Sequence, residues 1–509
     1  MIDPGMYRVR PGDLYKKCKL SGLKFQTTDE LEPLQGVIGQ ERAAIALSTG
    51  LDIENDGYNI YLSGYMGTGK TTMALDLIRQ KASQKPVPPD WCYVYNFQNP
   101  DNPTLIKFNP GEGKVFQKAI ASTFEHTIKS ITKAFEGEEF EDQKNLILNS
   151  FVEDTNNRYL KLEEEARQMG FTVSRGQNGI TSIPVKNGEP LKQDDYVSMD
   201  ETEKTELMAK NRIVQEKLTE AYRRYKEREK DTREKVKELE KETAREITAR
   251  YFTALFSKYR TYEKVINYVE AMQQDILNNI EIFTENEEPS VLGVFRARDK
   301  RAFMRRYEVN LLVDNSELDH APVITEANPT FAKLFGQIEY EGEFGVLATD
   351  FSKIKAGAIQ HANGGYLILQ MYDVIKNYYI WNALKRVLKT KQMVVESISK
   401  NLGFSNTETM EPESMPLSLK VILIGEPLYY YVLYNQDEEF QKLFKIKADF
   451  DVEMERTPKH VKDIARFIAS VCRSKKLGKG GISFCYYRSM IKFRIINQQI
   501  DLITSHKGP

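Results

Sequence analysis

The 509-residue sequence has few of the side chains that build metal sites or disulfide frameworks. It contains no Cys-x-x-Cys pair, and its five histidines are scattered along the chain. The four cysteines are Cys18, Cys92, Cys472 and Cys485. This pattern argues against a disulfide framework or a zinc knuckle, and it favours a reducing cytoplasm as the location.

An excess of charge and long apolar runs are also lacking. The 72 Lys and Arg residues balance 73 Asp and Glu residues, so a polycation that coats nucleic acid is not expected. The longest apolar runs, 366–369 and 421–424, have the length of a strand, so no membrane span is predicted. The N-terminus lacks the apolar segment of a secretory signal.

The chain is predicted to be an α/β protein whose sheet is interrupted by a long helical, coiled-coil-like insertion. Strand-like runs occur in two regions, and neither has enough strands for a nucleotide-binding sheet alone. Between them the chain is charged, and from Val214 to Leu255 apolar residues recur mostly at spacings of three or four, which predicts helix. Arg228 and Thr232 interrupt the apolar seam, so helix is better supported than coiled coil.

Five segments follow from this pattern. They are an N-terminal segment (1–30), the first half of the α/β domain (31–110), the helical insertion (111–285), the second half (286–455), and a truncated helical lid with an atypical tail (456–509). Inside the insertion, 171–190 is predicted to form a small β excursion with Asn-Gly turns. The insertion itself fits either a solvated helical hairpin or an arm that contacts partner subunits or substrate.

The strongest chemical motif reads G-x-x-x-x-G-K-T and begins at Gly64, between an apolar strand and an amphipathic helix. Its glycines let the main chain approach phosphates, and the N–H groups at the helix start attract anions. Lys70 is expected to bridge the β- and γ-phosphates, and Thr71 to ligate Mg²⁺. The residues predicted to bind ATP are Gly64, Gly67, Thr68, Gly69, Lys70, Thr71 and Thr72.

Upstream of this motif, Ile38 and Gly39 precede a helix. This segment is a candidate cover for the adenine ring, and a plain helix start explains the same residues.

The sequence contains the phosphate-binding motif but lacks the carboxylates expected for ATP hydrolysis at their usual positions. A Mg²⁺-linked carboxylate and a water-positioning carboxylate are expected at a neighbouring strand end, but Gln370 and Met371 stand there. The weak candidates for a catalytic carboxylate are Asp373, which could substitute for the missing acid, and Asp314 and Glu426, for which turn positions are the competing interpretation.

Several runs of this sequence together resemble the AAA+ module of Lon-like proteases of the LonB/LonC type. They are residues 38–44, 57–71, 88–103, 305–315, 321–345, 354–369, 381–388 and 440–451. The resemblance implies a P-loop AAA+ fold with a doubly wound sheet and a helical lid. It also implies a homo-oligomeric ring, possibly a hexamer, that acts on polypeptides, with a Ser-Lys peptidase domain in full-length relatives.

The sequence departs from the family pattern in three places. Gln370 and Met371 replace the acidic pair, and Gln441 stands where an arginine finger is expected. The residues after 480 do not follow the lid pattern, and no Ser-Lys peptidase segment is recognised, so weak ATP hydrolysis and no peptidase activity are expected. Two alternatives stay open: a P-loop ATPase that uses the helical arm on DNA, and a non-catalytic nucleotide-binding scaffold.

Overall fold

The computed structural model describes residues 25–34, 38–176, 179–186, 189–191, 196–284, 300–343, 346–396, 410–454 and 457–474. The chain divides into two compact units. The first comprises the residues up to Gln117 and from Val309 onward, and the second comprises Lys118–Glu308. The predicted insertion bounds of 111 and 285 stay a prediction.

The first unit is built on a five-stranded parallel sheet in the order β5-β1-β4-β3-β2. Its strands are β1 (Ile60–Ser63), β2 (Val323–Glu326), β3 (Tyr366–Gln370), β4 (Lys420–Gly425) and β5 (Ile446–Asp449). β1 lies between β4 and β5, with Ser63 opposite both Gly425 and Asp449. The carboxyl ends of these three strands therefore meet at one edge, where α/β sheets place their ligands.

Helices cover both faces of this sheet. Leu62, Ile368 and Ile424 point to one face and join a core with the helices α1 (Glu41–Asp52) and α2 (Lys70–Ala82). Tyr61, Leu369 and Leu423 point to the other face, because side chains alternate along a strand. The helices on that face are Met371–Ile375, Tyr378–Thr390, Pro427–Gln436 and Glu438–Leu443. The predicted doubly wound α/β fold is confirmed.

A second, antiparallel sheet in the same unit joins Thr104–Phe108, Asp90–Val94 and Val309–Val313 in that order. Short strand pairs and helices complete the unit. The pairs are Gln337–Ile338 with Ile354–Lys355, Glu341–Glu343 with Val346–Ala348, and Gln392–Met393 with Met415–Pro416. The short helices are Thr28–Glu30, Phe331–Phe335, Phe351–Lys353 and Ala358–His361.

A helix at Pro458–Ser474 occupies the predicted start of the lid. It packs on the N-terminal segment through Phe25 and Leu31, which form a small core with Ala465 and Ala469. Arg473 donates a hydrogen bond of 2.7 Å to the carbonyl oxygen of Leu31. The predicted atypical tail, 481–509, lies outside the described residues.

The second unit consists mainly of long helices. The first is the part of Glu112–Phe135 from Lys118 onward. The others are Glu138–Gln168, Glu201–Lys258, Glu263–Asn278 and Ile280–Thr284, followed by the 3-10 turn Arg305–Tyr307. At 1.5 Å per residue, the 58-residue helix Glu201–Lys258 is about 87 Å long. Ion pairs one turn apart, such as Arg224–Glu220 at 2.8 Å, support its solvated surface.

A three-stranded antiparallel sheet lies where the β excursion was predicted. Its strands are Phe171–Gly176, Gly179–Lys186 and Glu189–Pro190. Phe171 and Val173 pack against Val214 and Leu218 of the long helix. The predicted turn residues 177–178 and 187–188 lie outside the described residues. Throughout the ranges given above, no helix combines the length and the hydropathy that a membrane span requires.

Candidate functional site

The glycine motif forms the loop that joins β1 to α2. β1 is fully buried, and α2 begins at Lys70. Gly67 and Gly69 have φ angles of 82° and 80°, a left-handed conformation that glycine adopts without strain. Gly64 is constrained by space instead, because a Cβ atom there would lie 2.9 Å from Cβ of Phe450. Each of these glycines thus has a backbone or packing reason to be glycine.

Two side chains of the loop bind its own main chain. The Lys70 ammonium donates a short hydrogen bond to the carbonyl oxygen of Gly64, and the Thr68 hydroxyl donates one of 2.9 Å to the carbonyl oxygen of Tyr65. Burial lowers the pKa of Lys70, and the charge of the nearby Glu426 carboxylate opposes that shift. The first N–H groups of α2 have no acceptor within the helix, so they can serve a phosphate.

The residues that replace the acidic pair have different surroundings. Gln370 ends β3 opposite Ile424 and lies on the sheet face that α2 covers. Met371 is fully buried on the other face, in the same core as Tyr61 and Val374. Gln370 is therefore next to the nucleotide edge, whereas Met371 is a core residue.

The structure places Asp373 and Asp314 in ion pairs. Asp373 lies on the short helix after β3, with its carboxylate 3.4 Å from the Lys376 ammonium. Asp314 follows the strand Val309–Val313, which belongs to the antiparallel sheet and not to the P-loop sheet. Its carboxylate lies 3.3 Å from the Lys114 ammonium. Each of these two carboxylates thus has a lysine partner outside the phosphate loop.

Glu426, in contrast, directly follows β4, the strand beside β1. The main-chain N–H of Gly64 donates to the carbonyl oxygen of Gly425 at 3.2 Å. The buried Tyr61 hydroxyl donates to the carbonyl oxygen of Glu426 at 2.9 Å. Sequence reasoning missed Tyr61, because a tyrosine in an apolar strand gives no sign of where its hydroxyl points.

Ile38 and Gly39 lie near the chain that follows β5. A Cβ atom at Gly39 would lie 2.9 Å from Cβ of Met454. The Gln40 amide and the main chain of Asp451 exchange hydrogen bonds of 2.9 and 2.8 Å. These two hydrogen bonds hold in place the segment that was predicted to cover the adenine.

Gln441 lies on the helix Glu438–Leu443. Its side-chain amide donates a hydrogen bond of 2.6 Å to the carbonyl oxygen of Tyr434. The residue at the expected arginine-finger position is thus a neutral amide that contacts the end of the preceding helix.

Metal ligands are sparse in this site. Among the residues that the structure describes, no group of three or more His, Cys, Asp or Glu side chains could hold a metal ion. Mg²⁺ in nucleotide sites is commonly held by one or two carboxylates together with the substrate phosphates. Thr71 and Gln370 offer neutral oxygen atoms on the α2 side of the sheet, so they fit a magnesium ion that arrives with the phosphates.

The fold and the loop define a P-loop α/β domain. Comparison with protein families adds two matches: residues 319–451 match the LonB-like AAA domain, and residues 90–123 match the Lon-like LonC helical domain. These two matches support a Lon-like AAA+ family over the matched segments, in agreement with the sequence resemblance.

Comparisons with solved structures and with curated proteins do not extend this family resemblance. The structure of NtrX from Brucella abortus is 15% identical, with a TM-score of 0.21, and the match covers 42% of this chain and 47% of NtrX. NtrX in complex with ATP is 14% identical, with a TM-score of 0.21, and the match covers 45% of this chain and 49% of NtrX. The chain thus spans about half the length of these structures. No curated protein matches the sequence.

Proposed function

We propose that this chain is the ATP-binding AAA+ module of a Lon-like ATP-dependent protease. The observation that carries the proposal is the loop from Gly64 to Lys70, which joins a buried strand to a helix N-terminus in a Lon-like AAA+ protein. Gly64, Gly67, Thr68, Gly69, Lys70, Thr71 and Thr72 hold the phosphates in this proposal. Lys70 exchanges its bond to the loop carbonyl for the β- and γ-phosphates when the nucleotide binds.

Ile38 and Gly39 lie over the adenine, and Mg²⁺ arrives with the nucleotide and is held by Thr71. The magnesium ion would neutralise phosphate charge. The protein contributes no carboxylate through Gln370 or Met371, so hydrolysis is weak or absent in the proposed module.

Assembly and substrate class follow from the family. The proposed module forms a homo-oligomeric ring, with a hexamer as the expected size, in the cytoplasm, and it works on polypeptides. Gln441 has no planar cationic fork, so it cannot supply the charge that an arginine finger gives to a neighbouring site. This substitution favours a ring that binds nucleotide over one that turns it over quickly.

Thermal unfolding with and without ATP tests the nucleotide site. A ligand at a hundred times its dissociation constant stabilises a protein by about 2.7 kcal/mol, so ATP should raise the melting temperature of the wild type. Lys70→Ala should abolish this rise. The matched control is Lys81→Ala on the same helix, which removes a partner of Asp52 and should keep the ATP response. An unchanged ATP response in Lys70→Ala would refute the phosphate-loop assignment.

A further inference from the structure

We propose that residues 25–34 form a strap that couples the lid helix, Pro458–Ser474, to the adenine end of the nucleotide site and thereby slows nucleotide release. This inference rests on the proposed ATP site and adds a conformational control to it. The strap spans the boundary between the predicted N-terminal segment and the first half of the α/β domain.

The strap has a local structure of its own. Its turn Thr28–Glu30 begins with a capping box, in which the Glu30 carboxylate accepts hydrogen bonds of 3.0 and 3.1 Å from the N–H groups of Thr27 and Gln26. These hydrogen bonds lower the pKa of Glu30, so its carboxylate is charged near neutral pH. A segment that is ordered in this way loses less entropy on docking than a flexible tail does.

Apolar side chains hold the strap against the lid helix. Phe25 and Leu31 of the strap are 8% and 7% exposed, and they form one small core with Ala465 and Ala469 of the helix. The two alanines lie on one face of the helix, because residues four positions apart are neighbours on its surface. Their short side chains leave room for the strap to lie close to the helix.

Polar bonds from the following helical turn fix the position of the strap. The Arg473 guanidinium donates to the main-chain carbonyl oxygens of Asp29 and Leu31 at 2.9 and 2.7 Å. The N–H of Leu34 donates to the Ser470 hydroxyl oxygen at 2.9 Å. Together with the apolar core, these bonds cover about two turns of the lid helix, so they define one orientation of the strap on it.

The chain that follows the strap is tied to the start of the lid helix. Gln40 and the main chain of Asp451 exchange hydrogen bonds of 2.9 and 2.8 Å. The Glu41 carboxylate lies 3.4 Å from the ammonium of Lys459, which is in the first turn of the lid helix. Residues 38–39, which cover the adenine in the proposed site, therefore lie along the chain between these contacts and those of the strap.

The stretch of chain between the two sets of contacts is short. Gln40 is six positions after Leu34, and six residues span at most about 21 Å when fully extended. A large movement of the lid helix away from the nucleotide must therefore either break the strap contacts or pull on the residues beside the adenine. Both events are unfavourable, so the docked strap favours a closed lid and slow release of the nucleotide.

Hydrogen exchange of the full chain measures whether the strap is docked. Arg473→Ala removes two hydrogen bonds from a charged donor, so the amides of 25–34 should exchange at least about tenfold faster than in the wild type. Arg473→Lys should retain part of the protection, because a single side-chain nitrogen makes both bonds. The matched control is Lys462→Ala, which removes a cation from an exposed position of the same helix and should leave the exchange unchanged.

Release of a fluorescent ATP analogue, chased with excess ATP, measures the coupling. In Arg473→Ala the analogue should dissociate up to about tenfold faster, since release follows the population in which the strap is undocked. Coupling between two sites is reciprocal, so ATP should also slow the exchange of the strap amides in the wild type. Leu31→Ala removes an apolar contact from the strap side and should reproduce both effects with the lid helix unaltered.

The outcomes separate this inference from the proposed function. If the strap amides exchange equally fast in the wild type and in Arg473→Ala and Leu31→Ala, the strap is not docked and the inference is wrong. If their exchange differs but the analogue leaves all three proteins at the same rate, the coupling is wrong and ATP binding stands. If the analogue does not bind the wild type, the proposed function is wrong and the coupling is overturned with it.

Discussion

Gln370→Asp and Met371→Glu would restore the acidic pair at the end of β3. The structure predicts that the second of these substitutions destabilises the fold. Met371 is fully buried in the core that contains Tyr61 and Val374. Met371→Glu removes a buried apolar side chain, which costs roughly 2–5 kcal/mol in cores. It also puts a carboxyl group without a designed partner into that core. We expect a loss of about 4 kcal/mol in the free energy of unfolding, which corresponds to about 6 °C in melting temperature for a unit of about 300 residues.

The assay is thermal unfolding of the full chain, and its control is the same substitution at an exposed methionine. Met208 is 60% exposed on a helix of the second unit, so Met208→Glu should leave the melting temperature nearly unchanged. Gln370→Asp should also be tolerated, since Gln370 is partly exposed and precedes a helix, where aspartate is favoured. A Met371→Glu variant that melts within about 2 °C of the wild type would refute the assignment of Met371 to the core.

Two further predictions concern polar side chains that hold the strands and helices of the first unit together. Asn59→Leu should lower the free energy of unfolding by about 2–4 kcal/mol, because the buried Asn59 side chain forms hydrogen bonds with the Leu443 carbonyl and the Val421 N–H. Urea titration measures this loss, and a loss below about 1 kcal/mol would contradict the prediction. Although burial acts to raise it, the hydrogen bond from Lys385 keeps the pKa of Asp437 below its usual value. The ion pair therefore stabilises the fold above about pH 4 and is lost as the pH falls through the folded-state pKa. Asp437→Asn should lower the melting temperature at pH 7 and do so progressively less in acid, and a constant difference from pH 7 to pH 3 would contradict this.

The sequence was sufficient to predict those parts of the fold that depend on local pattern. The apolar runs 366–369 and 421–424 lie in neighbouring parallel strands, as expected of buried strands beside a phosphate loop. The run that ends at Asp314 also forms a strand, but it pairs with Asp90–Val94 in the antiparallel sheet. An apolar run shows that a strand forms and does not show which partner it takes, because pairing depends on residues far apart in the chain.

The residues of the candidate site likewise fall into those that a contiguous motif predicts and those that only long-range contacts identify. The phosphate loop is contiguous in sequence, so its glycines and Lys70 were predicted together. Glu426 was one of three weak carboxylate candidates, and sequence alone could not rank them. What the structure adds for Glu426 is a set of long-range contacts to the main chain, from Gly64 to Gly425 and from Tyr61 to Glu426, each more than 350 positions apart in the chain.

The charged and neutral side chains expected around the nucleotide bear on whether the proposed module mainly binds ATP or also hydrolyses it. Lys70 supplies the cation that the proposed site needs for phosphate, whereas Gln370 and Gln441 are neutral where a carboxylate and an arginine are expected. Binding depends mainly on the loop amides and Lys70, and turnover depends on the charges around the γ-phosphate. A site that keeps the first set and loses most of the second is expected to bind ATP and to hydrolyse it slowly. In the proposed module, the nucleotide-bound state itself stabilises the fold.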